Sequence, residues 1–331
     1  VSRGARLGRA LVVVLGALVA AIVGVVLFVQ LPEGSLTRLL GILLALATIL
    51  VGARIAGRAA WRRFPDYNVA EVAVKGPIVR DGGSSGFPTG GILHGADDIV
   101  EQIDAANEDP HARALLLHLN TPGGEVVPSD DLRLAAERFE GPTIAYTTDV
   151  CASGGYWIAS ACDELWAREG SIVGSIGVRG SRFTVPDLME RLGVEYEQLT
   201  AGAFKEAGVP FTNLDEDERA YLQELIDDYY DQFVEVVAEG RDMDPAFVRE
   251  TEARVYLGGE ALDQGLIDAL GTREEVEDHL EELLGEEVSV VEFRPHRRLT
   301  ERIQLGARGL AYSFGAGLAG VFSDDGPRLR L

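Results

Sequence analysis

Two blocks with the same order of residues constrain this chain most. "ARALLLHLN" (112–120) is a continuous apolar run closed by "TPGGE". "PTIAYTTDV" (142–150) follows and is closed by "CASGG". A run apolar at consecutive positions suits a parallel strand buried on both faces. The glycine pair after each run ends the strand and opens a helix, expected at roughly 128–139 in the first block and from Ser153 in the second. Strand, glycine turn, helix, twice in succession, specifies an α/β fold. The rest of the punctuation agrees. "NVAEVAVKGPI" alternates like a half-buried strand and ends in Gly76-Pro77. Residues 95–109 read as a helix stopped by Pro110, and 215–239 and 273–284 as acidic helices. "ARVYLGGEALDQGLIDALG" reads as turn, helix and short strand, and "DGGSSGFPTGG" (81–91) as a flexible loop.

A different texture precedes this domain. "ALVVVLGALVAAIVGVVLFV" (10–29) is twenty residues without a charge, the length of a bilayer-spanning helix. "LLGILLALATILVG" (39–52) is a second apolar run. It spans as well if Arg38 or Arg54 snorkels. Two transmembrane helices are therefore expected, about 10–30 and 36–54. The first run is too long for the apolar part of a cleaved signal peptide. Arg3, Arg6 and Arg9 precede the pair, and Arg54, Arg58, Arg62 and Arg63 follow it. The positive-inside rule then puts both flanks, and the domain after them, in the cytoplasm. If only one segment crosses, the domain lies outside the cell. The expected organisation is an anchor at 1–65, a folded domain at 66–285, and a basic, then Gly-rich tail at 286–331.

Charge narrows the partners. Beyond residue 65 the chain carries 22 basic and 52 acidic residues, a balance of −30. Phosphate would be repelled, so no nucleic-acid partner is expected. Such a balance suits a halophile. Of the 30 basic residues only Lys75 and Lys205 are lysines. Arginine replaces lysine as a charge but not as a base, so a lysine retained here invites a chemical reason. Cys151 and Cys162 form neither a disulfide framework nor a metal pattern and read as small buried thiols.

Ser153 lies where a strand turns into a helix, and backbone N–H groups are free at such a point. Gly154 beside it lets a carbonyl approach. A second N–H from the turn at Gly123-Gly124 would complete a two-donor oxyanion hole. A serine nucleophile also needs a base. None of His94, His111, His118, His279 and His296 sits in a triad-like context. A lysine serves only once it gives up its proton near neutral pH, which asks for roughly 4–5 kcal/mol of destabilisation of its charged form. "TAGAFKEAGVPF" surrounds Lys205 with apolar and small residues, as burial would require. Glu206 must then point away. Lys75 ends a strand, where solvation is expected.

Four stretches carry a family resemblance. "YTTDVCASGGYWIASACDELWAREGSIVGSIGV" resembles the nucleophile region of the signal peptide peptidase A family of Ser–Lys proteases. "LLLHLNTPGG" resembles its strand and glycine turn, "TAGAFKEAGVPF" its lysine segment, and "RVYLGGEALDQGLID" its later helix and turn. The match covers about residues 69–271, with the motifs in the family's order. It implies a fold like that of ClpP and the crotonases, which lack the lysine segment. It implies Ser153 as nucleophile, Lys205 as general base, Gly124 and Gly154 as oxyanion N–H donors, and Ser175 as the serine that orients the base. It implies no metal and no cofactor. Short members of the family assemble into rings in which serine and lysine can come from adjacent subunits. The substrates implied are apolar peptides such as cleaved signal peptides, met at a lipid membrane. The family commonly has a single anchor and an extracytoplasmic domain, from which the two expected spans depart. A regulatory membrane protease of the same clan, a crotonase-type hydratase or hydrolase acting on a CoA ester, and a non-catalytic membrane scaffold are the rival readings. The strongly acidic domain disfavours the CoA ester.

Overall fold

The apolar runs become the middle of a parallel sheet. The computed structural model describes residues 3–30, 35–84, 92–93 and 95–294. Residues up to Phe293 form one compact unit. Its first elements are helix α1 (Arg3–Val25), a π turn (Val26–Gln30) and helix α2 (Ser35–Arg63). Then come β1 (Val69–Lys75), β2 (Gly83–Ser84), β3 (Ile92–Leu93), α3 (Ala96–Asn107), β4 (Ala114–Thr121), α4 (Val126–Glu137), β5 (Thr143–Ala152) and α5 (Gly154–Ala159). The second half holds β6 (Glu164–Ala167), β7 (Ile172–Gly174), α6 (Pro186–Leu192), α7 (Glu216–Gly240), α8 (Pro245–Glu250), β8 (Val255–Leu257), α9 (Gly258–Asp263), β9 (Ala269–Leu270), α10 (Arg273–Leu284) and β10 (Val290–Glu292).

The main sheet runs β10-β1-β4-β5-β6-β9, all parallel. β7 joins the far half of β5 in parallel, and β8 pairs antiparallel with β7. β4 explains the continuous apolar run. Leu115, Leu117 and Leu119 enter the core shared with α3, α4, α5 and α7. Ala114 and Leu116 face the smaller core capped by Val276 and Leu280 of α10. Both faces of the strand are dry, so no alternation survives. Between β4 and β5 the register slips: Leu119 pairs with Thr147, yet Thr121 pairs with Cys151. The bulge bends β5, and its first half then pairs with β6 and its second with β7. α7 and α10 begin with capping boxes, Asp215 with Glu218 and Thr272 with Glu275.

Several boundaries differ from expectation. α4 starts at Val126, two residues early, because Glu125 already bonds back to Ile78. β10 adds residues 290–292 to the sheet beside β1, so the folded domain reaches beyond 285. The ends of the glycine-rich loop pair as β2 and β3, while residues 85–91 lie outside the described residues. So do residues 295–331, which hold most of the expected tail, and His94 and His296.

α1 and α2 carry two stretches, Leu7–Phe28 and Leu40–Ala60, that are long and apolar enough to cross a membrane. They pack antiparallel through small residues. A Cβ on Gly16 would lie 2.3 Å from that of Ala56, and one on Gly52 would lie 2.3 Å from that of Ala20. Only small residues permit backbones so close. The outward side chains, among them Leu11, Leu18, Leu43 and Leu50, are exposed. Arg9 pairs with Asp66 where α2 gives way to the domain.

One largely enclosed carboxylate sits on the α10 side of the sheet. The Glu71 side chain is 13% exposed. It accepts both arms of the Arg273 guanidinium, at 2.6 and 2.9 Å, and lies 3.5 Å from His118 Nδ1. Burial alone would raise its pKa; the hydrogen bonds from His118 and Arg273, with the charge of Arg273, hold it at about 2 instead of 4.5. The folded value is the lower one. The carboxylate therefore stabilises the fold above pH 4.5 and loses that contribution as pH falls toward 2, on the order of 3 kcal/mol in all. Glu71→Gln is expected to lower Tm near pH 6 and to lose most of its penalty near pH 2. An equal penalty at both pH values would contradict this assignment.

Candidate active site

The bend in β5 delivers Ser153 to a turn that a side chain rarely adopts. Its φ is 54° and its ψ −122°, a strained region for a residue with a Cβ. Two backbone bonds hold it there: Ser153 N–H donates to the Gly174 carbonyl at 2.9 Å, and Trp157 N–H donates to the Ser153 carbonyl at 3.0 Å. All six residues of α5 behind it are buried, so the turn stands on a fixed wedge. The geometry resembles the sharp strand-to-helix turns that project a nucleophile above a sheet.

Gly124 arrives from the other glycine turn. Ile78 N–H donates to the Gly123 carbonyl at 3.0 Å, and Glu125 N–H donates to the Ile78 carbonyl at 2.9 Å. Those bonds flank Gly124, so in extended chain its own N–H points the opposite way, toward α5. The approach is tight. A Cβ on Gly123 would lie 2.6 Å from the Gly154 nitrogen and 2.8 Å from Ser153 Cβ, and φ there is +92°. A Cβ on Gly154 would lie 3.3 Å from the Gly124 nitrogen and 2.3 Å from Ser129 Oγ. Gly154 opens α5, so its N–H has no carbonyl one turn earlier to bond. Two backbone donors thus converge beside the Ser153 side chain.

Ser153, Gly124, Gly154 and Ser175 all line one cavity of about 930 Å³. Ser175 also has a positive φ, 54°, and its N–H donates to the Arg254 carbonyl at 2.7 Å. The walls are mostly apolar, with Val126, Trp157, Val178, Ile226, Tyr230 and Phe233. Trp157 is held by Asp130, which accepts its indole N–H at 3.1 Å, and by Phe233, whose ring centre is 4.6 Å away. Ser129, the α7 wall and Asp130 were not singled out from the sequence. The spacing of 223, 226, 230 and 233 is one helix face, legible as a periodicity but not as the wall of a site.

Lys205 is not among the residues lining the cavity. It is exposed, on a segment from 183 to 212 that contains no buried residue. It forms no ion pair with any described residue. The burial that its apolar neighbours lead one to expect is absent within the described residues of a single chain. Glu206 does engage elsewhere, accepting from the Tyr196 hydroxyl at 2.8 Å, and Phe204 stacks on Tyr221 of α7 at 4.9 Å. No described histidine lines the cavity. Cys151 and Cys162 are buried. Burial pushes the Cys151 thiol far above its ordinary value and that of Cys162 to about 12, so both stay protonated and behave as the small buried thiols expected.

Comparison with known proteins identifies the family. The model of peptidase family S49 matches residues 135–287. The chain is similar to a protein of Methanocaldococcus jannaschii described as a protease, 32% identical over 223 residues, which are 66% of this chain and 70% of that protein. It is similar to a protein of Enterococcus faecium described as a signal peptide peptidase, 32% identical over 68% of this chain and 67% of that protein. It is also similar to a chloroplastic serine protease of Arabidopsis thaliana, 32% identical over 61% of this chain and 30% of that protein. With the bent parallel sheet and glycine turns of the ClpP/crotonase-like clan, the chain belongs to peptidase family S49, the signal peptide peptidase A family.

Proposed function

We propose that this protein is a membrane-anchored serine endopeptidase in which Ser153 attacks a peptide carbonyl and Lys205 takes the serine proton. The observation that carries the reading is the strained Ser153 turn, set between two converging N–H donors on the floor of an apolar cavity. As Ser153 Oγ bonds to the carbonyl carbon, its proton passes to the neutral amine of Lys205. The Gly124 and Gly154 N–H groups receive the oxyanion, a contribution of about 3–4 kcal/mol per donor. The C–N bond then breaks, and the lysine proton goes to the leaving amine. Water attacks the acyl-enzyme ester, delivers a proton through Lys205 and frees Ser153 and the acid. Ser175 orients the amine.

Lys205 is supplied by an adjoining copy of the chain. A lysine in open water keeps its proton and is no base; seating it in a neighbour's apolar cavity removes that solvation. The arm around it is suited to such a contact, for Phe183, Leu192 and Leu199 are 91%, 69% and 91% exposed. A contact of one surface with a different one on the next copy makes a ring where its rotation closes, and a ring is the assembly proposed here. The apolar cavity walls suit apolar peptides such as signal-peptide remnants, and two apolar helices hold the cavity near the lipid. The antiparallel packing of those helices supports a topology with both flanks on one side of the bilayer. The arginine flanks support the cytoplasm as that side. The acidic balance suits work in concentrated salt.

A membrane-impermeant organophosphorus probe tests the reading. Mass mapping is expected to find the adduct on Ser153, in inverted vesicles and not in intact cells. An adduct elsewhere removes Ser153 from the mechanism, and labelling of intact cells reverses the topology.

A further inference from the structure

The arm that carries Lys205 has a built base. Residues 183–212 bury nothing, so these thirty residues stand away from the hydrophobic cores. Within the arm, Tyr196 binds Glu206 at 2.8 Å and packs on Phe211 at 5.0 Å between ring centres. Those contacts give the arm an internal frame but do not fix its direction. Phe204 touches Tyr221 of α7, but both rings are about half exposed, at 45% and 44%. The direction is set at the neck. There the Val185 N–H donates to the Pro210 carbonyl at 2.9 Å. The Arg182 Nη2 donates to two carbonyls of the returning leg, Val209 and Thr212, each at 2.6 Å.

Arg182 is an unusual choice for a tie. It pairs with no carboxylate among the described residues, and its Nε is buried with no hydrogen-bond partner there. A charge held only by carbonyls gives up hydration without an ion pair in return. What it gains is geometry, since one rigid planar group fixes two points on the opposite strand of the neck. Just before it, Gly180 lies against Ile226, where a Cβ would come within 2.8 Å of Ile226 Cδ1. Ile226 also lines the cavity. The arm therefore leaves the body at a fixed point on the cavity-lining helix.

We propose that Arg182 is a positioning residue, which sets the angle at which the arm presents its lysine to the cavity of the adjoining copy. The inference rests on the Ser–Lys reading above. Chains bearing Ser153→Ala supply only a lysine, and chains bearing Lys205→Ala supply only a serine, so a reassembled mixture tells the two arms apart. Arg182→Gln on the lysine-supplying chain is expected to cut the recovered kcat at least tenfold, with KM within a factor of two. The same change on the serine-supplying chain, whose arm carries no lysine, is expected to leave recovered activity within a factor of two. Arg182→Lys keeps the charge but not the fork, and is expected to follow Arg182→Gln. Equal losses in both placements would make Arg182 a general structural residue and overturn the proposal, as would no loss in either. A parent mixture that recovers nothing, with Arg182 intact throughout, overturns the shared dyad and this proposal with it.

Discussion

Mixing Ser153→Ala chains with Lys205→Ala chains, followed by reassembly in detergent and high salt, is expected to restore cleavage that neither variant shows alone. Ser153→Ala should lower kcat by about 10⁴–10⁶, as loss of a nucleophile that acts in a unit does. Lys205→Ala should lower it by about 10²–10⁴, the usual worth of a general base. Lys205→Arg should fare no better, because guanidinium does not release its proton at working pH. The recovery follows from where the two residues stand. Ser153 is fixed on the cavity floor, and Lys205 is exposed on an arm outside the lining. If each interface joins the arm of one chain to the cavity of the next, random mixing pairs an intact lysine with an intact serine at about a quarter of interfaces. Recovery near a quarter of wild-type activity is therefore the expected ceiling. A mixture as inactive as its parts would place both residues in one chain's site or separate their roles. Full activity in Lys205→Ala would assign the proton to another group.

The strands and helices around Ser153 were legible because their signals are local. A dry strand reads as an unbroken apolar run, and a glycine pair after it reads as a turn. Ser153, Gly124, Gly154 and Ser175 line one cavity. What local reading cannot supply is the partner of an apolar residue. "TAGAFKEAGVPF" looks like a buried setting for Lys205, yet Phe204 and Phe211 are 45% and 41% exposed. Hydropathy says that a side chain favours burial, not against which surface. Ser129 shows the converse. It reads as a polar helix residue, but is 1% exposed because two helix N-termini meet over it. β10 was missed because three residues are too few to show a period.

That meeting of helix ends predicts the second large effect. Gly154→Ala is expected to lower kcat by about 10²–10³ with KM little changed, the loss associated with one misplaced oxyanion donor. The new methyl would lie 2.3 Å from Ser129 Oγ. Ser129 cannot swing clear: it is buried, and its hydroxyl is tied to the Glu125 carbonyl at 2.8 Å. The N-termini of α4 and α5 must then separate, and with them the Gly124 and Gly154 N–H groups. Removing the obstacle should reverse the effect. In Gly154→Ala with Ser129→Gly the methyl's nearest remaining neighbour is the Gly124 nitrogen at 3.3 Å, which a shift of a few tenths of an ångström relieves, so most of kcat should return. Such non-additivity between touching residues is what a shared clash produces. Gly124→Ala offers no such rescue. Its methyl would meet the Ile78 backbone, 2.0 Å from the carbonyl oxygen and 2.6 Å from the nitrogen, and there is no side chain to trim. It should cost folding rather than turnover, visible as a lower Tm. Additive losses in the Gly154–Ser129 double variant would mean that the two helix ends are not held by this contact, and that the donors owe their alignment to something else.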